Sequence, residues 1–333
     1  MGCDAQTVTA EPPDAAAVRA ALAEAIGSDP GELELSPVEG GASRQTFLAR
    51  SASGRSFAIR RDPPGARSFA ALELERRVLE QVADTGVPVP RPFAYQPDGG
   101  CYGSAGFAMD FVDGTSVAPR ILRRDEYETA RERLPAQLAE ALARVHSVDP
   151  DSITGLAGGE DPALDACRLW EGELDRIGEP LPGVEAGLRW LRLHAPARRG
   201  PPALVHGDFR LGNLIVDGTG LVAVIDWELC HAGDPAEDIA WLCIRSWRFG
   251  NDQLPVAGLG ELEPFLAAYE RAGGVRPDPR RLLWWEAMGN LKWAVICARQ
   301  AHDHLTGARP SAELASLGRR ICEPEWDLLG LVG

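Results

Sequence analysis

The segment VHGDFRLGN (205–213) places three chemically capable side chains, His206, Asp208 and Asn213, in one short stretch. A positioned carboxylate can accept a proton from a reacting group, and carboxylate and amide oxygens are ligands that Mg²⁺ prefers. A second carboxylate, Asp226, follows the apolar run LVAVI (221–225). An ionised carboxylate buried behind such a run is costly unless it meets a cation or several donors. The sequence therefore predicts a metal site at Asp226.

The spacing between Asp208 and Asn213 is D-x-x-x-x-N. This is the spacing of the protein-kinase catalytic loop, in which the aspartate meets the acceptor hydroxyl and the asparagine holds magnesium. Asp226 then provides the second metal ligand. We therefore expect Asp208, Asn213 and Asp226 to be the catalytic residues, with Asn213 and Asp226 as the metal ligands.

Other polar residues near this loop are expected to have supporting roles. His206 should orient the loop backbone, and His146 should be a hydrogen-bonded histidine at a helix end. Asp234 and Asp238 should support the loop and cap a helix over 235–245. For Glu228, the sequence leaves open a place beside the metal or a simple surface position.

The elements that must position these residues change in character along the chain. Alternating strands joined by glycine-bearing turns are predicted over 33–61, and a helix over 70–86 ends at Gly86. A strand is expected over 102–114, helices from about residue 125, and a hairpin over 213–228. Three further helices are predicted over 261–273, 280–305 and 311–329. The predicted fold class is α+β, with a β-rich nucleotide-binding lobe over 1–112 and a helical lobe over 113–333.

Composition excludes several functional classes. The net charge of −15 disfavours a nucleic-acid partner, whose phosphates would be repelled. No apolar run approaches the ~18 residues of a membrane span, and MGCDAQTVTAEPPD lacks the features of a secretory signal. We therefore expect a cytoplasmic protein.

The seven cysteines contain no C-x-x-C pair, which argues against a disulfide framework or a zinc site. No G-x-x-x-x-G-K-[ST] motif is present, which argues against a P-loop nucleotidase.

The motifs resemble those of the aminoglycoside phosphotransferase family, whose members share the protein-kinase-like two-lobed fold. The resemblance rests on HGDFRLGN (206–213), VIDWE (224–228), GDPAEDIAWL (233–242), EGGASRQTF (39–47), FAIRRDPPG (57–65), LERRVLEQVADTGVPVPRP (74–92) and FAMDFVDG (107–114). It is closest to the subgroup that resembles the phosphotransferase domain fused to some acyl-CoA dehydrogenases. The resemblance implies ATP or GTP, Mg²⁺ and a small-molecule hydroxyl acceptor.

The resemblance also indicates the nucleotide-binding residues. Gly40, Gly41 and Ser43 lie in a turn where backbone N–H groups can approach phosphate oxygens, although a plain hairpin turn has the same composition. In the family, the hinge binds adenine through backbone groups, which here implies Asp110 and Val112.

Kinase-like folds hold the α- and β-phosphates with a basic strand residue paired to a helix glutamate. The usual lysine is missing, because the only lysine of the chain is Lys292, in a C-terminal helix. Arg60 of FAIRR stands where the lysine would be, with Glu75 as its partner. Since successive strand residues point to opposite faces, Arg61 should face away from the phosphates, as a solvated arginine.

The acceptor is not determined by the sequence. Residues 151–190 carry nine acidic and three basic residues, which suggests either a pocket for a cationic acceptor or a solvated acidic surface. The closer subgroup points instead to a hydroxyacyl or other non-cationic acceptor. Trp284, Trp285 and Trp293 could line an apolar pocket or pack in a helical core.

A nucleotide-binding pseudokinase without activity is the alternative function. Nothing in the sequence indicates an oligomeric state.

Overall fold

The computed structural model describes residues 11–38, 44–63 and 70–333, so the predicted phosphate-binding residues Gly40, Gly41 and Ser43 lie outside the described residues. The chain divides into two units. The N-terminal unit comprises the chain up to Asp113 together with Ile153–Gly155. The C-terminal unit comprises Gly114–Ser152 and Leu156–Gly333.

A five-stranded antiparallel sheet forms the N-terminal unit, in the order β1-β2-β3-β5-β4. Its strands are Leu33–Pro37 (β1), Gln45–Ser51 (β2), Ser56–Arg61 (β3), Pro92–Gln96 (β4) and Gly106–Asp110 (β5). Two helices accompany it, Ala15–Ile26 (α1) and Ala70–Ala83 (α2). Phe47 and Ala49 lie two residues apart in β2 and pack with Val18 and Leu22 of α1. Because side chains alternate between the faces of a strand, both point to the face that α1 covers.

The C-terminal unit is mostly helical. Its helices within the described residues are Ala118–Arg123 (α3), Glu128–Val145 (α4), Pro162–Ile177 (α5), Pro182–Leu193 (α6), Ala236–Cys243 (α7), Leu262–Arg271 (α8), Pro279–Leu305 (α9), Ala312–Leu317 (α10) and Cys322–Val332 (α11). Helix α9 packs against α5, α6, α7, α10 and α11. Because α9 is buried along most of its length, Trp284 and Trp285 belong to the core.

Two short antiparallel strand pairs interrupt these helices and carry the motif residues. Ala203–Val205 (β6) pairs with His231–Gly233 (β9), and Leu214–Asp217 (β7) pairs with Gly220–Val224 (β8). The chain leaves β6 directly into the HGD segment. It leaves β8 directly into the segment that contains Asp226.

The α+β prediction is confirmed, with differences in individual elements. The strand expected over 102–114 begins only at Gly106, because Gly100–Tyr102 form a 3-10 turn. The helix expected over 311–329 is divided into α10 and α11 by a 3-10 turn at Gly318–Arg320. Strand β4 and helix α3 were not predicted. Among the described residues, no helix combines the length and the apolar character needed to cross a lipid bilayer.

Candidate active site

The HGD segment makes a tight turn at the end of β6. Gly207 has a φ of 78°, and a Cβ at this position would lie 2.4 Å from the carbonyl oxygen of Leu229. Any other residue would therefore meet both backbone strain and a steric clash. The glycine lets the chain pass this backbone and present the next side chain, Asp208.

Buried His206 connects the loop to the segment before Asp226. The backbone N–H of Asp208 donates to Nδ1 of His206 (3.1 Å), so this nitrogen carries no proton. The other ring nitrogen, Nε2, then donates to the carbonyl oxygen of Ile225 (3.1 Å). Burial holds the pKa of His206 below its ordinary value, in agreement with a neutral ring. These contacts orient the two backbones and leave His206 no free proton-accepting atom.

A buried carboxylate, Asp238 of α7, holds the same turn from the other side. It accepts hydrogen bonds from the backbone N–H groups of His206 (2.8 Å) and Gly207 (2.9 Å) and from Nε2 of His146 (3.2 Å). Nδ1 of His146 faces the hydroxyl of Tyr269 at 2.8 Å. Burial opposes ionisation of Asp238, but the hydrogen bonds from the His146 side chain and from the backbone N–H of His206 outweigh it and hold the pKa of this carboxyl below its ordinary value.

The only lysine of the chain reaches this turn as well, although the sequence analysis gave it no role. Nζ of Lys292 in α9 donates to the carbonyl oxygen of Gly207 and lies 3.5 Å from Oε1 of Glu237. It also lies 4.5 Å from the ring centroid of Trp241. Lys292 is buried, so its charge is stabilised by these groups rather than by solvent. The turn is thus held through its N–H groups by Asp238 and through a carbonyl by Lys292.

Asp208 is fixed by hydrogen bonds to both of its carboxylate oxygens. Oδ1 accepts from Nε of Arg210 (2.9 Å) and from Nε1 of Trp241 (2.8 Å), and Oδ2 accepts from Nδ2 of Asn213 (2.6 Å). The side chain is 16% exposed. A carboxylate offers about four lone-pair directions. Oδ2, with one donor, therefore retains the capacity to accept a hydrogen bond from a substrate hydroxyl.

The segments that carry the two predicted metal ligands lie next to each other. The amide nitrogen of Asn213 donates to both the backbone carbonyl and Oδ2 of Asp208, whereas its Oδ1 makes no hydrogen bond within the described residues. The backbone N–H of Ile225, adjacent to Asp226, donates to the carbonyl oxygen of Asn213 (2.9 Å). This contact fixes the segment that carries Asp226 beside the loop that carries Asn213.

The expected burial of Asp226 is wrong. Strand β8 ends at Val224, and Asp226 has a φ of 66°, which turns its side chain into a half-buried position. Positive φ is uncommon outside glycine and often occurs at functional sites. No cluster of three His, Cys, Asp or Glu side chains suited to a metal occurs in the described part of the chain. The oxygen donors of Asn213 and Asp226 nevertheless fit Mg²⁺, which keeps several waters and uses few protein ligands.

The two remaining residues near the loop, Asp234 and Glu228, differ in their surroundings. Asp234 accepts from the N–H of Ala236 at the start of α7 (3.0 Å) and from Nε1 of Trp285 (2.9 Å), and it pairs with Arg281. Glu228 is exposed.

In the N-terminal unit, Arg60 and Glu75 are paired as the sequence suggested. Nε of Arg60 lies 2.9 Å from Oε1 of Glu75, whose side chain is 2% exposed. A second arginine, Arg44, also contacts Glu75 and lies 3.3 Å from Asp62. Arg44 was not predicted from the sequence, although its position directly before β2, the strand that pairs with β3, indicated that it could reach the partner of Arg60.

The expectation for Arg61 is wrong. The side chain does point to the sheet face opposite Arg60, but it is buried rather than solvated. It donates to Oε1 of Gln45 (2.9 Å) and to the backbone carbonyls of Tyr102 (2.6 Å) and Glu11 (2.6 Å). Its guanidinium also lies 4.7 Å from the ring centroid of Phe47. Arg61 therefore connects three segments of the N-terminal unit.

The predicted hinge begins at Asp110, the last residue of β5. The side chain of Asp110 pairs with Arg55 at 2.9 Å and is half exposed. The backbone N–H and C=O of Val112 make no hydrogen bond to any described residue. Both groups of Val112 therefore have the capacity to bind an adenine edge.

The acidic segment 151–190 forms α5 and α6, and several of its carboxylates are already paired. Glu173 lies 2.6 Å from Arg176, and Asp165 and Glu171 pair with Arg168 and Arg192. The local negative charge is therefore smaller than the count of residues suggests.

The model of the phosphotransferase enzyme family, APH, matches residues 34–285. The chain belongs to this family. Acyl-CoA dehydrogenase family member 10 of Mus musculus is 29% identical to it over 319 residues, which are 89% of this chain and 29% of that protein. Acyl-CoA dehydrogenase family member 11 of Gallus gallus is 29% identical over 326 residues, 90% of this chain and 40% of that protein. The chain thus spans less than half the length of these relatives, and the subgroup predicted from the sequence is confirmed.

Solved structures show the same fold. A protein of Ralstonia eutropha provisionally described as an aminoglycoside phosphotransferase has a TM-score of 0.75 and 23% identity, covering 96% of this chain and 99% of the other. Macrolide 2'-phosphotransferase MphH from Brachybacterium faecium has a TM-score of 0.58 and 22% identity, covering 86% and 92%. At these identities the comparison shows the fold alone. The predicted protein-kinase-like fold of this phosphotransferase family is confirmed.

Proposed function

We propose that this member of the phosphotransferase family transfers the terminal phosphoryl group of ATP or GTP to a hydroxyl of a small molecule, with Mg²⁺. One observation carries the proposal: the carboxylate of Asp208 is held by three donors and keeps Oδ2 able to accept, on a loop that also presents Oδ1 of Asn213. Family membership supports the reaction class.

In the C-terminal unit, Asp208 orients the acceptor hydroxyl and takes its proton at Oδ2. The hydroxyl oxygen forms a bond to the terminal phosphorus, the bond from that phosphorus to the bridging oxygen breaks, and the nucleoside diphosphate leaves. Asn213 and Asp226 would hold magnesium, which when bound neutralises charge on the phosphates. Catalysis is then mostly positioning and charge stabilisation.

In the N-terminal unit, Arg60 binds the phosphates through its guanidinium, whose geometry suits phosphate oxygens. The glycine stretch with Gly40, Gly41 and Ser43 adds backbone contacts to the phosphates. Backbone groups of Asp110 and Val112 bind the base. These assignments follow the domain division proposed from the sequence, 1–112 for the nucleotide and 113–333 for chemistry and acceptor.

Charge near Asp208 favours a neutral or anionic acceptor over a polycation. Arg210 contacts Asp208 and lies 4.8 Å from the ring centroid of Trp247, and its terminal nitrogens make no hydrogen bond within the described residues. A Cβ at Gly212 would lie 2.1 Å from Nη1 of Arg210, so the loop leaves room for this cation. The ion pair of Arg210 with Asp208 leaves this loop little net negative charge to attract a cationic acceptor, and the pairing of Asp165, Glu171 and Glu173 weakens the case for an acidic pocket.

The test is a phosphorylation screen with neutral, anionic and cationic hydroxyl compounds, run with ATP or GTP and with or without Mg²⁺. The expected result is nucleoside diphosphate release above background hydrolysis, with a phosphorylated product identified by mass, for a non-cationic compound. Asp226→Asn should abolish the Mg²⁺-dependent part of nucleotide affinity, because the proposed metal ligand loses its charge. Calorimetry with and without Mg²⁺ measures this change. Nucleotide binding without turnover for any compound would favour the pseudokinase alternative and contradict the proposal.

A further inference from the structure

Two arginines of the N-terminal unit contact one buried glutamate. Nε of Arg60 lies 2.9 Å from Oε1 of Glu75, and Nη1 of Arg44 contacts Oε2 of the same carboxylate. Nε of Arg44 also lies 3.3 Å from Oδ1 of Asp62. Both acidic residues are buried, at 2% exposure for Glu75 and 8% for Asp62. Two cations and two anions thus form one connected group.

The strand register explains why these side chains meet. Strands β2 and β3 pair Gln45 with Arg61 and Thr46 with Arg60. Continuing this antiparallel register by one residue places Arg44 opposite Asp62. Because side chains alternate between the faces of a sheet, Arg44, Arg60 and Asp62 share one face and Arg61 takes the other. Glu75 of α2 contacts the first face.

The two arginines are held differently. Arg44 bridges two carboxylates and is 7% exposed, whereas Arg60 is 14% exposed and donates from Nε to Glu75. A cation that turns towards phosphate weakens its contact with its carboxylate partner. Loss of a cationic partner from a buried carboxylate is strongly unfavourable, so a partner such as Arg44 that stays in place lowers the cost to Glu75 when Arg60 binds phosphate.

We propose that Arg44 is a positioning residue that keeps Glu75 charge-paired while Arg60 binds the phosphates of the nucleotide. The two tasks that one lysine–glutamate pair performs in protein kinases are divided here between two arginines. Arg44 acts through Glu75 and does not itself contact the nucleotide. This inference rests on the proposed function, because it assumes that Arg60 meets a nucleotide.

The test compares the affinities of Mg-ATP and of adenosine, measured by calorimetry, in the wild type and three single variants. Arg44→Met should weaken ATP binding roughly tenfold, the middle of the range for coupling between contacting charged groups, and leave adenosine binding unchanged. Arg60→Met should weaken ATP binding at least as much. Arg61→Met is the matched control, because it removes a buried guanidinium of the adjacent residue. It should leave the ratio of ATP to adenosine affinity unchanged.

A second measurement separates positioning from a general loss of stability. In a Glu75→Gln background the carboxylate that Arg44 neutralises is gone, so Arg44→Met should then cost less ATP affinity. Arg44→Lys should restore part of the loss in the otherwise unchanged protein, because it keeps the charge. A phosphate-specific loss in Arg44→Met that is unchanged by Glu75→Gln would overturn the role through Glu75.

The outcomes also distinguish this inference from the function on which it rests. If Arg60→Met weakens ATP binding and Arg44→Met keeps the wild-type ratio of ATP to adenosine affinity, the role of Arg44 is wrong and the proposed function stands. If the wild type binds neither Mg-ATP more tightly than adenosine nor Mg-GTP more tightly than guanosine, both proposals are wrong.

Discussion

The two units hold their functional groups by different kinds of interaction. In the N-terminal unit, Arg44 and Arg60 are paired with the carboxylates of Glu75 and Asp62, so charge is balanced by charge. In the C-terminal unit, the donors to Asp208 are an indole, an amide and one guanidinium. The turn before Asp208 is held by backbone hydrogen bonds to Asp238, a buried carboxylate.

This difference indicates how substitutions in each unit should affect nucleotide affinity and turnover. Coulombic attraction depends weakly on direction, so an arginine can shift between a carboxylate and a phosphate at moderate cost. Hydrogen bonds weaken steeply when their angles are distorted. We therefore expect small, charge-dependent effects on affinity in the N-terminal unit and larger effects on turnover in the C-terminal unit.

The largest effect is expected from Asp208→Ala. Turnover should fall by a factor on the order of 10² or more, as for loss of a positioned general base, because the variant lacks the carboxylate oxygen that accepts the proton. Mg-nucleotide affinity should change little, since Asn213 and Asp226 remain. Steady-state nucleotide consumption and calorimetry measure the two quantities. Equal turnover in wild type and variant would remove Asp208 from the chemistry and with it the contrast between the units.

Lys292→Met tests whether the turn depends on its buried support. It removes the donor to the Gly207 carbonyl and leaves Glu237 with one fewer cation. The free energy of unfolding should fall by about 3 kcal/mol, as for breaking a buried ion pair, and turnover of the folded variant should also fall. Urea unfolding and kinetics at a temperature where the variant is folded measure both.

Lys292→Arg is the control for Lys292→Met, because it keeps the charge beside Glu237 and Trp241. It should retain more stability than the methionine variant. A folded Lys292→Met variant with wild-type turnover would show that Asp238 alone is enough to hold the turn.

Arg61→Met sharpens the comparison within the N-terminal unit. Because Arg61 donates to Gln45 and to the carbonyls of Tyr102 and Glu11, we expect a loss of about 1–3 kcal/mol in the free energy of unfolding. Turnover per folded molecule should be unchanged. Arg60→Met should show the opposite pattern, because it should lower nucleotide affinity and change the free energy of unfolding less. A free energy of unfolding equal to that of the wild type in Arg61→Met would support the solvated position of Arg61 that was predicted from the sequence.

The smallest effect concerns pH. Both ring nitrogens of His231 face acceptors, the carbonyl of Leu229 (2.9 Å) and Oε2 of Glu237 (3.1 Å). Burial opposes protonation, but Glu237 outweighs both burial and the nearby charge of Lys292 and raises the pKa of His231 to about 9. The folded state then binds more protons than the unfolded state between pH 6.5 and about 9, so this contribution to stability is present below pH 6.5 and is lost as pH rises through 9.

His231→Gln should flatten the decline in the free energy of unfolding between pH 6.5 and 9. The change should be modest because the ring is 31% exposed. Urea unfolding at several pH values measures it. An equally steep decline in the variant would show that other groups cause the alkaline loss.

The residues of the candidate catalytic site were proposed from local sequence. Asp208 and Asn213 lie within one loop, and the hairpin β7–β8 brings the segment of Asp226 back to Asn213, so short-range spacing was enough to propose all three. Arg60 and Glu75 followed from strand and helix patterns together with the lack of an earlier lysine. These predictions depend on contacts between elements that are neighbours along the chain.

The supports of the site could not be predicted in this way. Asp238 lies 32 residues from His206, Trp241 lies 33 from Asp208, and Lys292 lies 85 from Gly207. Local propensity carries no information about which distant side chains meet, because such contacts depend on how α7 and α9 pack. Motif spacing thus predicts which residues perform the chemistry. Packing established how they are held, since a buried charge finds its partners only when separate elements come together.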